Sequence, residues 1–179
     1  MRHLIRAALL VFTLSPGLYA QSDWDSYRAR SIADLIQEHS GGEYKKSDII
    51  ISADPFPSKT VATYTGKHRP VSEYTKNFIH LWVQTRNVPP ENADMLIEEY
   101  LFKEKGKEYW IPVLKQLAPF FDKELKEGDE ITIYYFFLGG YNEKTLREKE
   151  AKKDKTKAKD IETVEDKVRW VFAVEEFQK

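Results

Sequence analysis

Cysteine is absent from this chain of 179 residues. In an exported protein its absence excludes disulfides, and it also excludes the lipid-bearing cysteine that tethers a bacterial lipoprotein. Sites for N-linked glycosylation are absent as well, so nothing indicates a glycosylated ectodomain. If the chain is exported, these absences are typical of a bacterial periplasmic or secreted protein.

The common catalytic signatures are also missing. The chain has no Gly-x-Ser-x-Gly motif, no Ser-x-x-Lys motif and no glycine-rich phosphate loop. His39, His68 and His80 do not have the i, i+2 or i, i+4 spacing with which one element presents two ligands to a metal. The sequence therefore predicts no catalytic residue, no metal site and no cofactor.

The chain also lacks an excess of either charge. It has 28 Lys and Arg residues against 29 Asp and Glu residues, for a formal net charge of −1. Proteins that bind nucleic acid or anionic membranes through charge are usually strongly basic. The charge balance therefore predicts neither nucleic acid nor a membrane surface as a partner.

The N-terminus carries the pattern of a secretory signal peptide. Arg2 and Arg6 form a basic start, residues 7–14 are apolar except for one threonine, and the segment ends at Ala20. The apolar run is about half the length needed to span a bilayer. We therefore expect cleavage after residue 20, no transmembrane segment thereafter, and a location in the bacterial periplasm or outside the cell.

Residues 21–179 have the length of one globular domain. Alternating and helical patterns predict the following elements: a helix over about 23–39, strands at 48–52 and 60–65, a hairpin over 95–113, a helix that follows Pro112 and ends at Gly128, and long strands at about 130–138 and 168–177. A helix over 91–104 is an alternative to the first arm of the hairpin.

The stretch 71–86 fits two periodicities. Phe78, His80 and Trp82 alternate with apolar neighbours, which is typical of a strand, while the spacing of Tyr74, Phe78 and Trp82 also fits one face of a helix. Because aromatic and β-branched residues dominate and no capping box precedes the stretch, we favour a strand over 77–85. The helix stays open as an alternative.

This order of elements predicts a single α+β domain. It has an N-terminal helix and a further helix before the two long C-terminal strands. Five strands with a helix between the third and the fourth are the order of a small, partly open β-barrel of the oligonucleotide- and oligosaccharide-binding (OB) type. An antiparallel sheet with helices on one face is the alternative.

Between the last two strands, residues 143–160 form a charged segment. Its apolar residues are only Leu146, Ala151 and Ala158, so it buries too little surface to order itself. We expect a flexible insertion, either an extended loop or a solvated helix that projects from the domain.

The sequence offers one candidate cluster for an anion. Lys67, His68 and Arg69 follow a glycine at the end of a predicted strand, and Pro70 stiffens the loop tip on which we expect them to lie. Such donors bind phosphate, sulfate or carboxylate groups.

Aromatic residues make up 13% of the chain, and some of them are candidates for an exposed binding face. We assign Trp82, Trp110 and Tyr135 to this face. The adjacent carboxylates Glu175 and Glu176 are no candidate acid–base pair, because neighbours in a strand point to opposite faces.

These features lead to three hypotheses of function. The first is a non-enzymatic exported module that binds a protein, peptide or glycan partner in the cell envelope. The second is a small secreted hydrolase whose histidines and carboxylates meet only in the folded chain. The third is a structural or assembly accessory protein of the envelope.

Overall fold

A computed structural model describes residues 26–41, 48–54, 56–154 and 161–179. The predicted signal peptide lies outside these residues, as do positions 155–160 of the charged segment. Within the described ranges, no helix is long and apolar enough to cross a membrane.

The fold is α+β, as the sequence predicts, with a mixed sheet of seven strands. The strands are β1 (Arg28–Ala29), β2 (Ile49–Ile51), β3 (Ser58–Pro70), β4 (Glu98–Glu104), β5 (Lys107–Val113), β6 (Glu130–Asn142) and β7 (Val168–Gln178). The α-helices are α1 (Ile32–His39), α2 (Glu73–Thr85), α3 (Ala118–Glu124) and α4 (Glu143–Lys153), and short 3-10 helices cover Pro90–Met95 and Ile161–Thr163.

The strand pairings run in a cycle. β3 pairs with β4 and also with β6, β4 pairs with β5, β5 pairs in parallel with β7, and β7 pairs with β6. β3 bends at Gly66, so that its first part pairs with β6 and its last part with β4. Gly66 has a φ of +73° and falls within a register shift between Tyr64 and His68. Glycine adopts this left-handed conformation without a steric penalty.

The hydrophobic core combines buried residues of the strands in this cycle with buried residues of α1, α2 and α3. Alternating residues of β6, such as Ile131, Ile133 and Tyr135, are fully buried beside Phe102 of β4 and Val174 of β7. Residues with a period of two share one face of a strand, so each of these strands contributes a stripe of side chains to the core. The predictions of the 95–113 hairpin and of the two long C-terminal strands are confirmed.

The predicted N-terminal helix begins later than expected. Residues 28 and 29 form β1, which pairs in parallel with the start of β3, and α1 begins only at Ile32. The side chain of Ser31 accepts a hydrogen bond from the Asp34 backbone N–H and so caps the helix. The prediction of a helix through residues 26–31 is therefore wrong, because tertiary pairing takes precedence over local periodicity.

The favoured strand over 77–85 is also wrong, and the open alternative is correct. These residues belong to α2, whose buried face includes Phe78, Ile79 and Val83. The helix begins after Ser72, whose hydroxyl accepts the backbone N–H of Thr75. A serine without a glutamate three residues later is a weaker start signal than a capping box, but it fulfils the same role.

The helix predicted after Pro112 is shorter than expected. Pro112 and Val113 end strand β5, and α3 covers only Ala118–Glu124, with Pro119 in its first turn. Proline is favoured there because the missing N–H has no partner within the helix in any case.

Most of the charged segment forms α4. Asn142 caps it by accepting the Thr145 N–H, Leu146 packs against the core, and the Lys149 ammonium pairs with Asp48. Residues 143–153 are therefore helical, as one alternative had it, but the helix packs against the domain and does not project from it.

Candidate functional site

The basic triplet of the sequence lies in a strand rather than on a loop tip. Lys67, His68 and Arg69 are exposed residues of the last part of β3, because pairing with β4 resumes after the bend at Gly66. The predicted loop is therefore wrong, although the predicted exposure is correct.

Arg69 lies on a buried carboxylate. Its Nε donates to Oε1 of Glu99 at 2.6 Å, and Nη2 of Arg169 on β7 donates to Oε2 of the same residue at 2.6 Å. The side chain of Glu99 is 0% exposed, whereas those of Arg69 and Arg169 are 45% and 27% exposed. A carboxylate at such depth requires charged hydrogen-bond partners, and both of its oxygens have one.

The Arg69 guanidinium also stacks on Trp110. Its central carbon lies 4.0 Å from the centre of the indole ring, a cation–π contact. Strand register explains the arrangement, because Arg69 lies opposite Glu99 and Trp110 lies opposite Leu101, two residues further along β4. We call the group Arg69, Glu99, Trp110 and Arg169 the guanidinium site.

His68 lies beside this group. Its ring stacks on Tyr100 with a centroid distance of 5.3 Å, and its Nδ1 is 3.9 Å from Glu98. Burial is the largest cause that raises the pKa of Tyr100 above its ordinary value, and the Glu98 carboxylate adds to it. His68 and Arg69 are neighbours in β3 and lie opposite Tyr100 and Glu99. The half-exposed His68 is therefore next to the site along the strand but points to the other face.

His68 and His80 each lie near one carboxylate. Nδ1 of His68 and Nε2 of His80 lie 3.9 Å and 3.8 Å from Glu98 and Asp94, beyond ordinary hydrogen-bond distance. Neither ring makes a hydrogen bond to a serine or threonine hydroxyl in the described part of the chain. The described ranges also contain no group of three or more acidic or histidine side chains that could hold a metal ion.

The other two predicted site residues lie elsewhere. Tyr135 is fully buried, and its hydroxyl donates to the backbone oxygen of Arg30 at 2.8 Å. Trp82 is half-buried on α2, and its indole Nε1 is a buried donor without a partner among the described residues. The structure thus brings Arg69 onto Trp110. Lys67 and His68 only precede Arg69 in β3, and Trp82 and Tyr135 lie apart from it.

Sequence reasoning missed a second group of carboxylates. β7 has a bulge opposite Tyr134 and Tyr135 of β6. These two adjacent residues pair with Glu176 and Val174, so Glu175 has no pairing partner on β6. A bulge interrupts the strict alternation of faces. The argument that Glu175 and Glu176 must point to opposite sides therefore does not apply.

No cation of the described ranges is among the groups that shift the pKa of Glu175 or Glu176. The Tyr27 hydroxyl donates to Oε1 of Glu175, and the Tyr27 ring packs edge-on against Tyr134 with centroids 5.0 Å apart. Burial raises the pKa of Glu175 and that of Glu176 to about 7 each, and the bond from Tyr27 opposes this rise for Glu175. We call the four residues Tyr27, Tyr134, Glu175 and Glu176 the bulge cluster.

Comparison with protein-family models, with curated proteins and with solved structures finds no match to this chain. A function must therefore be argued from the geometry of its own residues.

Proposed function

We propose that the protein is an exported binding module built on a small, partly open OB-like barrel. The support is the cyclic order of pairing among β3, β4, β5, β7 and β6, with β5 parallel to β7 and α3 between the third and the fourth of these strands in the sequence. In this order β3 takes the place that the sequence pattern assigned to residues 77–85.

Barrels of this type bind ligands on the face of their second and third strands, between two flanking connections. The corresponding strands here are β4 and β5, and the corresponding connections contain α2 and α4. These two helices touch, because the Tyr74 hydroxyl donates to Glu150 at 3.2 Å and the Arg147 guanidinium lies 5.0 Å from the centre of the Tyr74 ring. The two connections therefore lie together beside the same barrel.

The observation that carries the proposal is the guanidinium site. Arg69, which is exposed, is held by Glu99 and Trp110 next to the hairpin of β4 and β5. Lys67 and His68, which precede Arg69 in β3, are exposed as well. The net charge of the protein is close to zero, but at this site two arginine side chains lie together and are held in fixed orientations. This arrangement favours a partner that carries an anionic group.

Site-specific photo-crosslinking in the native envelope tests the binding surface. A photoreactive residue in place of Glu108, an exposed residue of β5, should give a crosslinked adduct with a partner. The same residue in place of Lys123, an exposed residue of α3, should give none. Equal adducts from both positions, or none from position 108, would contradict the proposal.

Export has its own test. Fractionation of cells that express the full chain should place it in the periplasm or the medium, and N-terminal sequencing of the product should begin at Gln21. Retention of the complete chain in the cytoplasm would show that residues 1–20 are not a signal peptide.

A further inference from the structure

We propose that the guanidinium site binds the side-chain carboxylates of an acidic peptide segment, with Arg69 and Arg169 as donors and Glu99 as the residue that positions them. This inference rests on the proposed function, and it names the chemistry of the partner.

The first argument is the charge at the site. One buried carboxylate is compensated by one guanidinium, yet Glu99 has two, from β3 and from β7. The carboxylate of Glu98, which precedes Glu99 in β4, is 3.9 Å from His68 and accepts a bond from Tyr100. Lys67 adds another positive charge on the same strand. The site therefore retains positive charge after its internal pairs are counted.

The second argument is the direction of the donors. Arg69 contacts Glu99 through Nε alone, and its Nη1 and Nη2 make no hydrogen bond to the described residues. Its side chain is nearly half exposed. The two terminal nitrogens of a guanidinium form a planar fork that matches both oxygens of a carboxylate. An incoming carboxylate therefore meets unused donors.

The third argument is preorganisation. The guanidinium plane of Arg69 is fixed on one side by the Trp110 ring and at its Nε by Glu99. Much of the side-chain entropy that a free arginine loses on binding is thus already lost in the unbound protein. Two strands held by the same carboxylate also keep Arg69 and Arg169 at a constant separation.

The fourth argument separates a peptide from a sugar or a nucleic acid. Sugars and bases are held by stacking on open aromatic faces. No tyrosine or tryptophan in the described ranges is exposed, and one face of Trp110 is covered by Arg69. Phe56 is exposed, but the Arg28 guanidinium lies 3.3 Å from the centre of its ring. Recognition by charge suits an acidic peptide better than recognition by stacking.

Isothermal titration calorimetry on the purified full-length protein tests the inference. A hexaglutamate peptide should bind saturably at low ionic strength, and added salt should weaken the binding. A hexaglutamine peptide of the same length should not bind. Inorganic phosphate and an oligogalacturonate serve as two further probes of anionic chemistry.

Substitutions that keep the charge test the fork geometry. Arg69→Lys and Arg169→Lys should each weaken hexaglutamate binding by roughly tenfold, because an ammonium cannot form the planar fork. Arg147→Lys is the matched control, since Arg147 also contacts a ring and a carboxylate but lies on α4. The control should bind the peptide as the native chain does.

Each outcome decides between the possibilities. No binding of hexaglutamate by the native chain, or equal losses in all three variants, would overturn the inference. Tighter binding of the oligogalacturonate would replace the peptide with a uronate glycan, and displacement of the peptide by low concentrations of phosphate would show a general anion site. If Arg69→Lys does not fold, as judged by near-ultraviolet circular dichroism, Arg169→Lys supplies the measurement. The crosslink from position 108 does not depend on this peptide chemistry, so its loss would count against the proposed function itself.

Discussion

Glu99 is fully buried and Glu175 is half-buried on the same sheet, and their hydrogen-bond partners differ. Glu99 has a guanidinium on each oxygen, whereas Glu175 has a tyrosine hydroxyl and a neighbouring carboxylate. At Glu99 two guanidiniums offset the cost of burying a charge, whereas in the described part of the chain no cation acts on Glu175. One carboxylate is therefore an anchor for arginines, and the other titrates near neutrality, at a pKa of about 7.

Glu104 is a buried carboxylate that is stabilised in a third way, by backbone N–H groups and a hydroxyl. It accepts the backbone N–H groups of Ile32 and Ala33 at the start of α1 and the hydroxyl of Thr60. The first turn of a helix has N–H groups without partners inside the helix, and the helix dipole favours a negative charge there. Glu104 thus connects β4 to α1.

The largest expected effect comes from giving Glu99 the surroundings of Glu175. The double substitution Arg69→Met with Arg169→Met leaves Glu99 buried without a cation and should lower the free energy of unfolding by about 3 kcal/mol at pH 7. Urea denaturation measures the loss. Adding Glu99→Met to the same chain should restore most of it, because no buried charge then remains. A loss that the third substitution does not reverse would mean that packing rather than charge is responsible.

The second effect is a dependence of stability on pH. The folded pKa of about 7 for Glu175 and for Glu176 lies above the ordinary value of 4.5, so folding favours the protonated forms. This contribution is complete below about pH 4.5 and is lost as the pH rises through 7. The free energy of unfolding should therefore be higher at pH 5.5 than at pH 8.

Glu175→Gln tests the origin of that dependence. The amide cannot ionise, so the stability of the variant relative to the native chain should be greater at pH 8 than at pH 5.5, by roughly 1–2 kcal/mol. Urea midpoints at the two pH values provide the measurement. An equal change at both values would assign the effect to shape rather than to ionisation.

A smaller effect is expected for Tyr27→Phe. The hydroxyl of Tyr27 stabilises the ionised form of Glu175, so its removal should move the Glu175 titration to higher pH. The cost in stability should be about 1 kcal/mol at pH 8 and less at pH 5.5. Carbon-detected NMR of the Glu175 carboxyl group gives the midpoint directly. A midpoint that falls instead would exclude this bond as a stabiliser of the charge.

The smallest effect is expected where both charges lie in water. Nζ of Lys105 lies 3.7 Å from the Asp34 carboxylate, and both side chains are more than half exposed. Solvent screening weakens such pairs. Lys105→Ala should leave the urea midpoint unchanged within error, and a marked shift would show that exposure alone does not separate this pair from Glu99.

Alternation and turn residues were sufficient to predict part of the fold. The hairpin of β4 and β5 and the strands β6 and β7 follow from local pattern, because a half-buried strand imposes a period of two on its own residues. Helix α2 did not follow from local pattern. Its aromatic residues fit both the strand period and the helix period, and Ser72 caps it without the glutamate of a capping box. The start of α1 depends on the pairing of β1 with β3, which residues 23–39 do not encode locally.

Part of the candidate site was likewise predictable from local sequence, and part was not. The basic triplet at residues 67–69 was visible as a run of cationic side chains. The role of Glu99 was not visible in the sequence, because its partners Arg69 and Arg169 are 30 and 70 positions away in the chain. The pair of Glu175 and Glu176 was set aside on the rule of alternation, and a bulge formed against β6 suspends that rule.

The amino-acid sequence by itself determined which residues carry charge, which strands alternate, and that no disulfide stabilises this protein. Those properties belong to single residues or to short windows. Only the tertiary structure decided which charges are paired. Burial removes water as the competing partner, so an ionisable side chain then depends on whichever groups distant strands bring within hydrogen-bond reach. For Glu99 those groups are Arg69 and Arg169, and for Glu175 the nearest is the hydroxyl of Tyr27.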